Sequence, residues 1–165
     1  MIKRCLEVEI NSILAVINDG AQAYHGMIPQ VSSHDSYMDR DELSKEIRSG
    51  VQVWGYYVKE NLVGVMGIQD KQDVTLIRHA YVRTSERRSG VGTKLLEWLE
   101  ERSKKPMLIG TWADAKWAID FYKKNGYTLV SAEERGMLLE KYWTVSSSQA
   151  DASVVLADPK WIRSG

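Results

Sequence analysis

Apolar residues recur along the chain with two periods, and the changes of period predict the order of helices and strands. Residues 2–6 can form a short first strand, and over residues 9–24 the apolar side chains fall at helical spacing. Glycine and proline break this pattern, and residues 30–38 are polar without a period, which indicates a loop. From residue 39 a capping-box spacing predicts a short second helix that stops at Gly50.

The middle of the chain has the composition of β-strands. Residues 51–58 and 62–68 are rich in valine, tyrosine and tryptophan and flank a polar turn, which predicts an antiparallel hairpin. Another apolar strand is predicted over residues 75–82. Three glycines lie inside the hairpin and indicate bulges or the close approach of another group: Gly55, Gly64 and Gly67.

The second half alternates between helical and strand patterns. Helices are predicted after Gly92, from an Asp114 cap to Gly126, and over residues 133–142; strands are predicted over residues 107–112, 127–130 and 153–157. Hairpins followed by strand–helix–strand units predict an α/β domain with a mixed sheet. At 165 residues, we expect a single domain over residues 1–157 and a frayed C-terminal tail over residues 158–165.

Composition narrows the class of protein. The chain has 22 basic and 22 acidic side chains, so a general binder of nucleic acid or anionic membrane, which is usually basic, is disfavoured. One cysteine, Cys5, makes an intrachain disulfide impossible, and we expect no metal site. No apolar run approaches the roughly 18 residues that cross a bilayer, and the N-terminus does not resemble a secretion signal. We therefore expect a soluble cytoplasmic domain.

Residues 75–94 combine a strand, a basic glycine-containing turn and a helix start. The glycines let the backbone turn tightly, and a helix N-terminus offers free N–H groups and a positive dipole end. The spacing fits neither a Walker A loop nor the dinucleotide fingerprint. Taken alone, this stretch predicts either a phosphate site or an ordinary turn with two exposed arginines. The turn and helix start comprise Arg87, Arg88, Ser89, Gly90, Val91, Gly92 and Thr93.

Two stretches together resemble a known family. AYVRTSERRSGVG, residues 80–92, resembles motif A of the GNAT family of N-acetyltransferases, and AIDFYKKNGY, residues 118–127, resembles its motif B. The match is specific over residues 75–130 and loose elsewhere. The resemblance implies a mixed, mostly antiparallel central sheet of about six or seven strands flanked by helices. It also implies acetyl-CoA as the co-substrate.

The resemblance assigns roles to particular residues. The coenzyme A diphosphate would lie on Arg87 to Thr93, and the pantetheine arm would pair with the backbone of Ala80, Tyr81 and Val82 as an added strand. Tyr122 would give a proton to the departing thiolate. The chain departs from the family pattern at Thr84, Arg88 and Ala115, where many members carry proline, glycine and asparagine. At Ala115 we therefore expect a side-chain contact to the cofactor to be either missing or supplied by another group.

The base that deprotonates the acceptor is less defined. His79, on the strand beside the expected acetyl position, is the candidate, and the alternative is a histidine that serves only packing. Other titratable residues left open are His25, His34, Glu7, Glu9 and Asp70. A backbone N–H near Val82 would stabilise the oxyanion.

The acceptor has no motif in this sequence. We expect a primary amine on a small molecule, which attacks the thioester directly in a ternary complex. The alternatives are a protein N-terminus or lysine, and a non-catalytic module that only binds coenzyme A. Trp54 and Tyr56 alternate on a strand, and if their face borders the cleft they favour an aromatic or apolar acceptor. A homodimer in which the last strand pairs with a second copy stays open.

Overall fold

The computed structural model describes residues 1–24, 38–143 and 150–164. Seven strands in these residues form one sheet in the order β1-β2-β3-β4-β5-β7-β6. β4 and β5 are parallel, and the other neighbouring pairs are antiparallel, so the predicted mixed, mostly antiparallel sheet is confirmed. The strands are β1 Ile2–Arg4, β2 Gln52–Val58, β3 Asn61–Lys71, β4 Val74–Val82, β5 Met107–Trp112, β6 Thr128–Leu129 and β7 Ser153–Ala157.

Helices cover both faces of this sheet. They are α1 Ile10–Gly20, α2 Arg40–Arg48, α3 Val91–Arg102, α4 Lys116–Lys124, α5 Ala132–Tyr142 and α6 Pro159–Ser164. Successive strand residues point to opposite faces, and the neighbours Val65 and Met66 on β3 accordingly belong to different apolar clusters. Met66 packs with α3 and α4, and Val65 packs with α1 and α2.

Several predicted boundaries agree with the structure. β5 and β7 have the predicted limits, and the Asp39 side chain caps α2 by accepting a hydrogen bond of 2.8 Å from the Glu42 N–H. The suspected close approach at Gly64 is also present, since a Cβ there would lie 2.6 Å from Val91 Cγ1. The start of α3 therefore rests directly on the β3 backbone.

Other predicted details are wrong. α4 begins after Ala115, which has no side-chain capping bond, so Asp114 is not its cap. Residues 159–164 form α6 where a frayed tail was expected. Proline suits the first turn of a helix because its missing N–H has no partner there in any case. The Trp161 Nε1 donates to Glu134 Oε1 at 2.8 Å, which ties α6 to α5.

The last strand pairs on both of its edges within the chain, to different extents. β7 pairs with β5 over all of Ser153–Ala157 on one edge, and on the other edge β6 pairs with Leu156 and Ala157. Pairing of this strand with a second copy of the chain stays a prediction.

β4 and β5 pair over only three residues and then diverge. Their ladder runs from Thr75–Met107 to Ile77–Ile109, while β7 pairs with the opposite edge of β5 from Leu108 to Trp112. On its other edge β4 carries an irregularity, because Gly67 pairs with Arg78 and Val65 pairs with Tyr81, so that two residues of β4 oppose Met66 alone. This β-bulge lies where the two parallel strands separate, and it changes the direction of the side chains at residues 79 and 80.

Candidate active site

A cavity of about 580 Å³ lies between the diverging ends of β4 and β5. Residues 77–81 and 109–112 line it from the two strands, α2 contributes Glu42 and Glu46, and Trp143 follows α5 on the cavity wall. Val82 is not among its lining residues. Four of the predicted site residues line the cavity: His79, Ala80, Tyr81 and Tyr122.

His79 is held by a carboxylate that sequence reasoning did not identify. Its Nε2 lies 2.9 Å from Glu46 Oε2, and the other oxygen of the same carboxylate accepts a bond of 2.6 Å from Arg78 Nη2. Burial raises the pKa of Glu46, but the contacts with His79 and Arg78 outweigh it and hold that pKa below its usual value. Glu46 is therefore ionised at neutral pH. It lies 33 residues from His79 along the chain, and no local pattern links the two.

The backbone at His79 has an uncommon conformation. Its φ is +53°, in the left-handed region that costs an ordinary residue about 1–2 kcal/mol. Such values cluster at functional sites, where the surrounding structure holds them in place. The bulge opposite Met66 is the local cause, because an extra residue on one strand re-aims the side chains around it.

Tyr122 lies on the buried face of α4. Only 4% of its surface is exposed, and its ring packs edge-on against Phe121 at 5.0 Å and tilted against Tyr127 at 5.6 Å. The two residues proposed as acid and base therefore line one cavity from different elements. Packing against both aromatic rings fixes the position of the Tyr122 ring.

The predicted phosphate turn has the form of an open helix start. Gly90 is the N-cap of α3 with φ +86°, and the first backbone bond of the helix runs from the Lys94 N–H to the Gly90 carbonyl at 3.0 Å. The N–H groups of residues 91–93 precede that bond and face outward, as at every helix start. Arg87, Arg88 and Ser89 are exposed beside this end. These groups suit an anion such as a diphosphate.

The end of α1 anchors the turn, a role that the sequence did not indicate. The Asp19 carboxylate accepts a bond of 2.7 Å from the Thr84 N–H, and the Gly20 carbonyl accepts one of 3.3 Å from Arg87 Nη2. A Cβ at Gly20 would lie 2.9 Å from Tyr81 Cβ, so α1 also touches β4 closely. The strand and the turn are thus positioned by the same helix end.

The structure disfavours most of the other candidates for the base. His25 and His34 lie outside the described residues. Glu9 accepts a bond of 2.6 Å from the Tyr57 hydroxyl, and Asp70 accepts one of 3.0 Å from Thr75; neither lines the cavity. Glu7 is exposed in a short 3₁₀ turn away from it.

The suggestion that Trp54 and Tyr56 border the cleft is wrong. Trp54 packs against Trp98 of α3, with ring centroids 6.3 Å apart, and the Tyr56 hydroxyl accepts a bond of 3.5 Å from Lys94 Nζ. Both belong to the α3 side of the sheet. The aromatic residues that do line the cavity, besides Tyr81 and Tyr122, are Trp112 and Trp143.

Within residues 1–24, 38–143 and 150–164, no three His, Cys, Asp or Glu side chains come together as a metal site. None of the helices in that part of the chain is both long and apolar enough to cross a lipid bilayer.

Comparison with known proteins points to one family. A domain model described as an acetyltransferase (GNAT) domain matches residues 21–138. No curated protein sequence matches the chain significantly.

Solved structures share the fold. The chain is similar to the PaiA N-acetyltransferase of Thermoplasma acidophilum in complex with coenzyme A, with a TM-score of 0.75 and 14% identity over 96% of this chain and 97% of that one. It is similar to a GNAT-family acetyltransferase from Staphylococcus aureus, with a TM-score of 0.71 and 18% identity over 96% and 97% of the two chains. A ribosomal-protein alanine N-acetyltransferase from Escherichia coli aligns with a TM-score of 0.69 and 13% identity over 97% and 93%.

Proposed function

Because the chain belongs to the acetyltransferase (GNAT) family, it is an acetyl-CoA-dependent N-acetyltransferase, and we propose that it acetylates a primary amine on a small molecule. The single observation that carries the proposal is the cavity between β4 and β5, which brings His79 and Tyr122 to one space. Its volume of about 580 Å³ lies within the range of about 300–1,000 Å³ that is typical of small-molecule sites.

Two parts of the chain suit the binding of coenzyme A. The start of α3, with Arg87 and Arg88 beside it, would hold the diphosphate through backbone N–H groups and full charges. The edge of β4 that turns away from β5 after Ile77 would pair with the pantetheine arm through Ala80 to Val82. Residues 87–93 and 80–82 keep the roles that the motif resemblance suggested for them.

Two side chains would move protons. His79 would take the proton that the amine loses when it attacks the thioester, and Tyr122 would give a proton to the sulfur that leaves. The products are an amide and the free thiol, and exchange with solvent restores both side chains. Binding both substrates in one cavity would supply much of the rate, because it makes the reaction effectively intramolecular.

A protein acceptor is the second candidate. The Escherichia coli structure noted above is named for acetylation of a ribosomal protein, and it shares the fold at only 13% identity. The lining of this cavity mixes the charged groups of α2 with the aromatic rings of Trp112 and Trp143. The mixed lining favours a compact amine with an apolar or aromatic part.

Calorimetric titration with coenzyme A, followed by thiol-release assays, tests the proposal. Arg87→Glu should weaken coenzyme A binding at least several-fold, because it replaces a cation beside the diphosphate with an anion. Arg4→Glu makes the same charge change at an exposed arginine on β1, at the far edge of the sheet, and should bind coenzyme A normally. Equal binding by both variants would contradict the assigned phosphate site.

A panel of amines then separates the candidate functions. Steady thiol release with small primary amines and none with peptides supports the proposal. Thiol release only with peptides, through their N-terminal amine or a lysine, would instead identify the chain as a protein acetyltransferase. Binding of coenzyme A without release from any acceptor would indicate a regulatory module. A single acetyltransferase domain over residues 1–157, a cytoplasmic location and a homodimer remain predictions from the sequence.

A further inference from the structure

We infer that Glu46 is a positioning residue that fixes the tautomer of His79, with the proton on Nε2 and the lone pair on Nδ1. The inference rests on the proposed function, because Nδ1 is then the nitrogen that accepts the proton of the acceptor amine. The observation that carries it is the contact of 2.9 Å between His79 Nε2 and Glu46 Oε2 on the wall of the cavity.

The geometry of β4 brings the pair together against the usual strand pattern. Adjacent residues on a regular strand point to opposite faces, so Arg78 and His79 could not reach one carboxylate. Here both do, at 2.6 Å and 2.9 Å. The bulge and the φ of +53° at His79 turn its side chain onto the face of Arg78. The contact between His79 and Glu46 therefore depends on the unfavourable backbone conformation at His79.

Glu46 itself is held from two sides. Arg78 donates through Nη2 to Glu46 Oε1 and through Nη1 to Gln69 Oε1, at 2.6 Å and 2.9 Å. Gln69 is only 6% exposed, and its Nε2 donates to the Ser49 carbonyl just after α2 at 3.4 Å. This chain of bonds links α2, β3 and β4. It leaves the second carboxylate oxygen, Oε2, directed at His79.

The hydrogen-bonding capacities of Glu46 and Arg78 determine which nitrogen of His79 carries the proton. An ionised carboxylate only accepts hydrogen bonds, and an arginine only donates them. With Oε1 accepting from Arg78, Oε2 requires a donor, which the imidazole supplies as Nε2–H. The neutral ring then has a lone pair on Nδ1. When Nδ1 takes a proton from the amine, the carboxylate stabilises the resulting imidazolium.

The variant Glu46→Gln tests this assignment of the His79 ring proton. The amide has one acceptor and one donor end, and Arg78 can bind only the acceptor. The NH₂ end then faces His79 Nε2, which must become an acceptor, so the ring proton moves to Nδ1. The variant keeps the shape of the side chain and removes the lone pair that the reaction needs.

Long-range ¹H–¹⁵N NMR of the imidazoles at pH 8 reads the tautomer directly. The chain has three histidines, so His79→Gln assigns the His79 signals, while His25 and His34 serve as internal references. In the wild type we expect a protonated-type Nε2 and an unprotonated-type Nδ1, and in Glu46→Gln the reverse. An unchanged pattern in Glu46→Gln, or a protonated-type Nδ1 in the wild type, would overturn the inference.

Kinetics supply the second readout. Glu46→Gln should lower kcat about 10²- to 10⁴-fold, the range that a well-placed base contributes, while KM for acetyl-CoA stays within about twofold. In the double variant Glu46→Gln/Arg78→Met the amide oxygen is free to face His79, so the wild-type tautomer and part of kcat should return. A tautomer switch without any loss of kcat would remove Glu46 from the mechanism.

The two readouts also separate this inference from the function on which it rests. A wild-type protein that releases no thiol with any amine would overturn the proposed function. The NMR comparison needs no turnover, so in that same protein it would still decide whether Glu46 fixes the His79 tautomer.

Discussion

Gly64→Ala should loosen the start of α3 from the sheet and weaken coenzyme A binding as a result. A Cβ at this position would lie 2.6 Å from Val91 Cγ1 and 3.4 Å from Leu95 Cδ1. Carbon atoms in good contact are about 3.5–4.0 Å apart, so Val91 would have to move by about 1 Å. Val91 is 4% exposed and is the first residue of α3, so its displacement moves the helix end that carries the outward N–H groups.

The size of the effect follows from the packing. Adding a methyl group to a well-packed core costs about 1–3 kcal/mol. For a chain of this length each kcal/mol lowers Tm by about 2–4 °C, so Gly64→Ala should lower it by between about 2 and 12 °C. Differential scanning calorimetry measures this fall, and isothermal titration with coenzyme A measures the loss of affinity.

Two further variants make the test specific. Gly136→Ala on the exposed side of α5 adds a methyl group with no atom within 4 Å, and it should raise stability by about 0.8–1 kcal/mol because alanine favours a helix. Val91→Ala removes the atom that clashes, so the double variant Gly64→Ala/Val91→Ala should lose less stability than the two single losses added together. Strict additivity, or wild-type stability and coenzyme A affinity in Gly64→Ala, would refute the argument.

Two other predictions concern the cavity. Tyr122→Phe keeps the packing of the ring against Phe121 and Tyr127 but removes the hydroxyl that is the proposed acid. In the thiol-release assay kcat should therefore fall about 10²-fold or more, while the Kd for coenzyme A is unchanged. An unaltered kcat would exclude the acid role. Glu46→Gln should also change the acid dependence of stability. Because the folded-state pKa of Glu46 lies below its usual value of 4.5, the contribution of its charged form to stability is present above that value and is lost as the pH falls through the folded-state pKa. Thermal unfolding measured from neutral to acidic pH should show a gap between wild type and variant at neutral pH that closes as the pH falls through the folded-state pKa of Glu46. A gap that does not depend on pH would contradict this reasoning.

Local sequence signals predicted those parts of the fold that local physics determines. β5 and β7 are short continuous apolar runs bounded by polar residues, and their limits agree with the structure. Asp39 caps α2 as its spacing suggested, because a side-chain oxygen there meets an N–H three residues later. α6 was missed because it has only six residues, too few for a helical period to be visible.

The missed features of the site depend on tertiary contacts. Glu46 looked like one of several charged residues on an amphipathic helix, and only the packing of α2 against the sheet brings it to His79. The bulge in β4 has no signature in β4 itself, because residues 74–82 contain neither glycine nor proline. Asp19 and Gly20 likewise gain their role only because α1 ends beside the turn that follows β4.

The position of β7 in the sheet has a consequence for the biosynthesis of the protein. β7 follows every other described strand along the chain, yet it lies between β5 and β6 in the sheet. As the chain leaves the ribosome, β6 lacks the strand with which it pairs, and residues 110–112 of β5 lack their pairing partners until residues 153–157 emerge. The wall of the cavity formed by residues 110–112 is therefore among the last parts to become ordered. A nascent chain cannot complete the wall of this cavity before residues 153–157 have been synthesised.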